Sequence, residues 1–248
     1  MELALLDFDN TLTNSSSIVL KETILDIKKY TIDNKICIIS NSSFNFLNEF
    51  KNNNLLNISF YSIKDSMGIL DDKIIKSNIS YLILNEILNK FSNSIYTGWT
   101  TNSINSYIYN YQDRLNFFYP LEKRIIIDKF DIDLPSFNFA ININLKDEFI
   151  NYLNEKNLGY EIIASDLKRI IIKIFAKDFN NLIIFKKIIK YFNPDITIGI
   201  GDSIENLSFI NLCDEKIAML NSNLAAKLKK TTKYDNDHNG CLRFLLNQ

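Results

Sequence analysis

Apolar positions along this chain follow two rhythms: short unbroken runs, and runs in which an apolar residue returns every third or fourth place. Leu3, Ala4, Leu5 and Leu6 form an unbroken run, as expected of a strand buried on both faces of a parallel sheet. Residues 19–30 carry Leu20, Ile24 and Ile27 with charges between them, which predicts a helix capped by Ser16 or Ser17. Residues 36–39 predict a second buried strand, and Phe44, Leu47 and Phe50 a second helix. Short strands follow at 58–63 and 67–74, punctuated by the turns Lys64-Asp65-Ser66 and Asp71-Asp72-Lys73. The same rhythm closes the chain, with a helix at 179–192, a strand at 196–200, a helix at 207–212 and a strand at 216–220. Strands and helices in this alternation predict an α/β fold, a doubly wound, mainly parallel sheet.

Between these stretches the texture changes. Residues 81–91 and 146–155 read as helices, 124–127, 137–143, 160–164 and 169–175 as strands, and 92–113 as a polar, tyrosine-rich segment. This is α+β material, so we expect an inserted domain at 78–171 and a core domain made of 1–77 and 172–248.

Composition narrows the class. The 248 residues are 46% hydrophobic and 23% charged, with a formal net charge of -1. That profile belongs to soluble globular proteins and lacks the basic excess of a nucleic-acid binder, so no nucleic-acid partner is expected. No apolar run approaches the roughly 20 residues of a membrane helix, and the acids at 7 and 9 interrupt the first run, so neither a membrane association nor a signal peptide is expected. Cys37, Cys213 and Cys241 lie far apart without a CxxC pair, which reads as reduced, structural thiols in a cytoplasmic protein.

Each of four expected buried strands ends in small or acidic polar residues: Asp7 and Asp9, Ser40 and Asn41, Asp202 and Ser203, Asn221 and Ser222. Side chains alternate along extended backbone, so Asp7 and Asp9 project the same way from the carboxyl end of the first strand, the edge at which open α/β sheets bind ligands. Two like charges so close call for a cation, a proton or a reaction partner, and a hard divalent metal is a natural third member. Ser40 and Asn41, with the amides at the start of the next helix, suit a phosphate, although residues 40–43 also suit a plain helix cap. With Lys177 at the start of the helix before Asp202, the set supplies a nucleophile, an acid/base, phosphate ligands and metal ligands. Lys173 is close by but falls within the 169–175 strand, so Lys177 is preferred. His238, the single histidine, sits in a polar loop and offers no triad. Trp99, Tyr107, Tyr109 and Tyr111 read as core or surface of the inserted domain rather than as a sugar or nucleotide pocket.

In order and spacing these residues resemble the motifs of the haloacid dehalogenase (HAD) superfamily of phosphohydrolases. Asp7-Phe8-Asp9-Asn10-Thr11-Leu12 resembles its first motif, DxDGT, with Asn10 where Gly is usual. Ser40 resembles the second motif, Lys177 the third, and Gly201-Asp202-Ser203-Ile204-Glu205-Asn206 the fourth, usually GDSxND or GDGxND. Residues 217–222 and 236–240 look like the end of the Cof-type branch, and the insertion sits where that branch, the sucrose-phosphate and mannosyl-3-phosphoglycerate phosphatases and phosphomannomutase carry a C2-type cap. The resemblance implies a Mg²⁺-dependent phosphatase for a small phosphorylated metabolite, a sugar phosphate first, with a phosphomutase or a non-catalytic binding module as alternatives. Asp7 would attack phosphorus, Asp9 would protonate the leaving alcohol and then activate water, and Asp7, the Asp9 carbonyl and Asp202 would hold Mg²⁺. Ser40, Asn41 and Lys177 would bind the phosphoryl group, with Ser203, Glu205 and Asn206 supporting the fourth motif and the cap selecting the substrate. Three departures stand out: Glu205-Asn206 in place of Asn-Asp, Lys64-Asp65-Ser66 in place of Glu-Asn-Gly, and Ser42 in place of an arginine.

Overall fold

A computed structural model describes residues 1–102, 105–110 and 124–247. In chain order its main elements are β1 (Glu2–Leu6), α1 (Lys21–Tyr30), β2 (Lys35–Ser40), α2 (Phe44–Asn53), β3 (Ser59–Ser62), β4 (Met67–Leu70), β5 (Lys73–Lys76), α3 (Tyr81–Phe91), β6 (Ile95–Asn102), β7 (Asn105–Tyr109) and β8 (Arg124–Ile127). They continue with β9 (Ser136–Asn142), α4 (Lys146–Glu155), β10 (Leu158–Ser165), β11 (Arg169–Ala176), α5 (Asn181–Phe192), β12 (Ile196–Gly201), α6 (Leu207–Ile210), β13 (Glu215–Ala218), β14 (Lys230–Thr231) and α7 (Gly240–Leu246). The chain divides into two compact units, one of Met1–Ile75 with Asn181–Gln248, the other of Lys76–Asn180.

The first unit is built on a sheet of order β14-β13-β12-β1-β2-β3-β4-β5. All pairs from β14 to β3 are parallel, and β4 turns back antiparallel on β3. Leu3 to Leu6 are completely buried, because β1 lies in the middle of this sheet with helices supplying apolar cover. Ala4 and Leu6 join Ile36, Ile38, Ile198 and Ile200 in one core cluster with Ile27 of α1 and Leu242 and Leu245 of α7. Phe60 of β3 belongs to that cluster, so its neighbour Tyr61 points to the other face, where its ring meets Phe185 of α5 edge-on at 6.1 Å. The strand order grows outward from β1 in both directions, so successive connections reverse beside it. That reversal is the switch point at which doubly wound sheets open a crevice at their carboxyl edge.

Two local expectations give way here. The helix after β1 begins at Lys21 without a side-chain cap, its N-cap being Leu20, and neither Ser16 nor Ser17 caps it. Ser17 instead takes a left-handed turn, with φ 59°.

The second unit holds a six-stranded sheet of order β10-β11-β9-β6-β7-β8, antiparallel except for the β7–β8 pair. Phe137, Phe139, Ile141, Ile170, Ile172 and Ile174 form its core with Leu84 and Ile87 of α3 and Phe149 and Leu153 of α4. Strands β6 and β7 occupy part of the stretch that reads as polar. Its Thr, Tyr and Ile residues favour extended backbone without an apolar alternation to announce it. Tyr107 is buried in this core, Tyr109 packs against it, Trp99 is half-buried, and Tyr111 lies outside the described residues. The expected return to the first domain at 172 falls inside β11. That strand pairs with both β9 and β10, so it belongs to the second sheet and the division falls between 180 and 181.

Candidate active site

Strand β1 delivers Asp7 to the switch point, where its amide donates to the Ile200 carbonyl at 3.0 Å and so continues the β1–β12 ladder. The next strand end, one residue past Gly201, delivers Asp202. The two carboxyl groups come within hydrogen-bonding reach of each other, although far apart in sequence. Asp7 is almost wholly buried, and burial, with Asp202 and then Asp9 as like charges nearby, pushes its carboxyl up to about 8. A hydrogen bond from the Phe8 amide works in the opposite direction and is outweighed.

Alternation places Phe8 on the face away from the acids. Its ring is buried edge-on against Phe46 at 5.4 Å and Phe50 at 5.1 Å, both on α2. Beyond it the chain folds back on itself: the amides of Leu12 and Thr13 both donate to the Phe8 carbonyl, at 2.9 and 3.1 Å, and the Asn10 amide donates to Thr13 Oγ1 at 2.8 Å. This turn holds Asn10 at φ 54°, the left-handed region. Asparagine is the best tolerated residue there after glycine, which accounts for the substitution in the first motif. Asp9 is exposed at the tip, where Ser42 Oγ donates to its Oδ2 at 3.3 Å.

Ser40 ends β2 fully buried and accepts from the Ser42 amide at 2.9 Å, while Ser43 caps α2 by accepting from the Phe46 amide at 3.3 Å. The capping part therefore falls to Ser43, while Ser40 stands at the end of the strand that pairs with β1. Asn41 is exposed on the same loop. Asp65 gives this loop its shape: its Oδ2 accepts from the Phe44 amide at 2.7 Å, and Ser62 Oγ donates to the Ser42 carbonyl at 2.8 Å.

The fourth motif is organised by Asn206. Its Oδ1 accepts from the Asp202 amide at 3.0 Å, the Ser203 amide at 2.9 Å and Ser203 Oγ at 3.1 Å. A Cβ at position 201 would fall 2.5 Å from that oxygen, so only glycine lets Asn206 close over the strand end. Glu205 is exposed on the adjoining turn. Lys177 stands exposed on the turn Lys177–Phe179, in the second unit. Sequence reasoning missed Ser42 and Asp65 as site-shaping residues, since each acts on a partner brought close only by the neighbouring strand.

Two carboxyl groups within reach of each other, one buried and one partly buried, are chemically suited to a hard cation such as Mg²⁺. Among the described residues no group of three or more His, Cys, Asp and Glu side chains is arranged to hold a metal. A set of two carboxylates and one main-chain carbonyl still fits Mg²⁺, which ordinarily keeps several waters and shares one or two carboxylates with a substrate phosphate.

No family model matches the sequence, and no curated protein does. Solved structures do. A haloacid dehalogenase-like hydrolase from Bacteroides thetaiotaomicron superposes with a TM-score of 0.69 at 16% identity, over 99% of this chain and 98% of that one. A haloacid dehalogenase-like hydrolase from B. subtilis does so with a TM-score of 0.66 at 16% identity, over 100% and 99%. A sugar phosphatase of HAD subclass IIB matches with a TM-score of 0.66 at 14% identity, over 99% and 98%. The chain has the HAD-like fold. Asp7 and Asp202 follow neighbouring strands of its first sheet, β1 and β12. No helix among the described residues is long and apolar enough to cross a membrane.

Proposed function

We propose that this chain is a Mg²⁺-dependent phosphatase acting on a small phosphorylated metabolite, a sugar phosphate first, through an aspartyl-phosphate on Asp7. The observation that carries the reading is the meeting of the Asp7 and Asp202 carboxyl groups at the switch point, with Asp9 beside them on a tight turn. Mg²⁺ held by Asp7, the Asp9 carbonyl and Asp202 would keep Asp7 ionised and neutralise phosphoryl charge. Asp7 attacks phosphorus, forming the Oδ–P bond as the bond to the alcohol oxygen breaks, and Asp9 gives that oxygen its proton. Water then attacks the acyl phosphate and passes its proton to Asp9, which releases inorganic phosphate and restores both acids. Ser40 Oγ, with Asn41 on the same loop, would hold the phosphoryl oxygens in line, which is most of what phosphoryl transfer asks of a protein.

The test is phosphate release from a broad panel of phosphorylated metabolites. Release with Mg²⁺ is expected, lowered at least about a thousandfold in Asp7→Asn. Isomerised sugar phosphate without free phosphate would turn the reading toward a mutase. Silence across the panel, together with no Mg²⁺ binding, would overturn it.

A further inference from the structure

One stretch singled out in the sequence has no part in the chemistry above: residues 236–240, far along the chain from Asp7 and Asp9. In the fold they lie against the first motif. The Asn236 side chain is buried, and its Nδ2 donates to the Thr13 carbonyl at 3.0 Å while its Oδ1 accepts from Asn221 Nδ2 at 2.7 Å. Thr13 in turn receives the Asn10 amide on Oγ1, the residue next to Asp9. One position further, Asp237 Oδ1 accepts from both the amide and the hydroxyl of Ser15 at 2.8 Å. The segment is itself anchored to α1, with Thr23 Oγ1 donating to Asn239 Oδ1 at 3.0 Å and Asn239 Nδ2 to Asp26 Oδ2 at 2.6 Å. A Cβ at position 240 would fall 1.9 Å from the Tyr234 carbonyl, so this approach is tight. Behind it, Cys241 lies near enough to Asp7 for the carboxylate to act on its buried thiol.

We infer that Asn236, with Asp237 beside it, is a positioning residue that clamps the turn carrying Asp9, and so sets where the acid/base stands relative to Asp7. The inference rests on the phosphatase reading for its kinetic consequence, though not for its structural one. The donor is the essential feature. An ionised Asp at 236 still accepts from Asn221 but has no hydrogen to give the Thr13 carbonyl, and Ala at 236 removes the donor without adding charge.

Two measurements on the full chain test it. In steady-state hydrolysis of the best panel substrate, Asn236→Asp and Asn236→Ala are expected to lower kcat by roughly 10- to 100-fold, with KM within about threefold. Asp237→Ala, at an exposed position that leaves the core untouched, is expected to lower kcat by about two- to fivefold. Arg243→Ala breaks the surface ion pair between the adjoining helix α7 and Glu22 of α1 without touching the turn, and is expected to hold kcat within about twofold. In amide hydrogen exchange, the position-236 variants are expected to lose protection at Thr11, Leu12 and Thr13 while Leu3 to Leu6 keep theirs. Unchanged protection at 11–13 in the position-236 variants overturns the clamp, as does an equal loss in Arg243→Ala. A wild type that releases no phosphate sinks the phosphatase reading instead, and the exchange result still decides the clamp.

Discussion

Asp7 takes up its proton near 8 rather than at the ordinary 3.8, because burial and then its acidic neighbours disfavour the charge. The folded, metal-free chain therefore keeps a proton that the unfolded chain releases. The stability owed to it is fully present below the unfolded value and is lost as pH rises through about 8. Asp7→Asn never ionises, so with chelator present it is expected to melt roughly 4 °C or more above wild type at pH 9, and within about 1 °C of it at pH 4. Saturating Mg²⁺ is expected to raise wild type and leave Asp7→Asn nearly unmoved, because only the carboxylate gains from the ion. Thermal melts across pH, with and without Mg²⁺, check both. Asn206 gives a second prediction. Its loss to Ala strands three donors and is expected to cost about 1–3 kcal/mol in a urea titration, whereas Asp, which keeps the acceptor, stays within about 1 kcal/mol when Mg²⁺ is present. At this scale the acids were legible, since each directly follows an apolar run. Asn206 was legible only through the resemblance of the fourth motif, because its three donors are gathered by a turn that leaves no periodic mark.

Among the elements, α2 is the one most dependent on a distant residue. Its first amide is taken by Asp65, which arrives from the loop after β3, and the last residue of β3, Ser62, holds the Ser42 carbonyl. Asp65→Ala is expected to cost about 1–2 kcal/mol, in line with loss of a helix cap, and to raise KM through displacement of the Ser40–Ser42 turn. Chemical denaturation and substrate titration together check it; an unchanged denaturation midpoint would remove Asp65 from the account. Elements with long apolar runs or clear helical spacing, such as β1, β12 and α5, were legible from local pattern alone. Strands β6 and β7 were not: their extended state is imposed by pairing with β9 and with each other across a polar sequence.

For the whole molecule the separate cores have a thermodynamic consequence. Phe149 is completely buried in the second unit's core cluster, and the first unit has a core cluster of its own. Phe149→Ala is expected to cost about 3–5 kcal/mol and to shift one of two calorimetric transitions while the other stays in place. A single transition that moves as a whole would show the units to unfold together. By itself the sequence determined the alternation of strands and helices, the inserted α+β segment, and which residues stand at strand ends, because these depend on neighbours within a few positions. Only the tertiary structure decided that Asp202 meets Asp7, that β11 belongs to the second sheet, and that Asn236 closes over the turn bearing Asp9. Those outcomes depend on which strands lie side by side, a choice made by packing across the whole chain that no local pattern encodes.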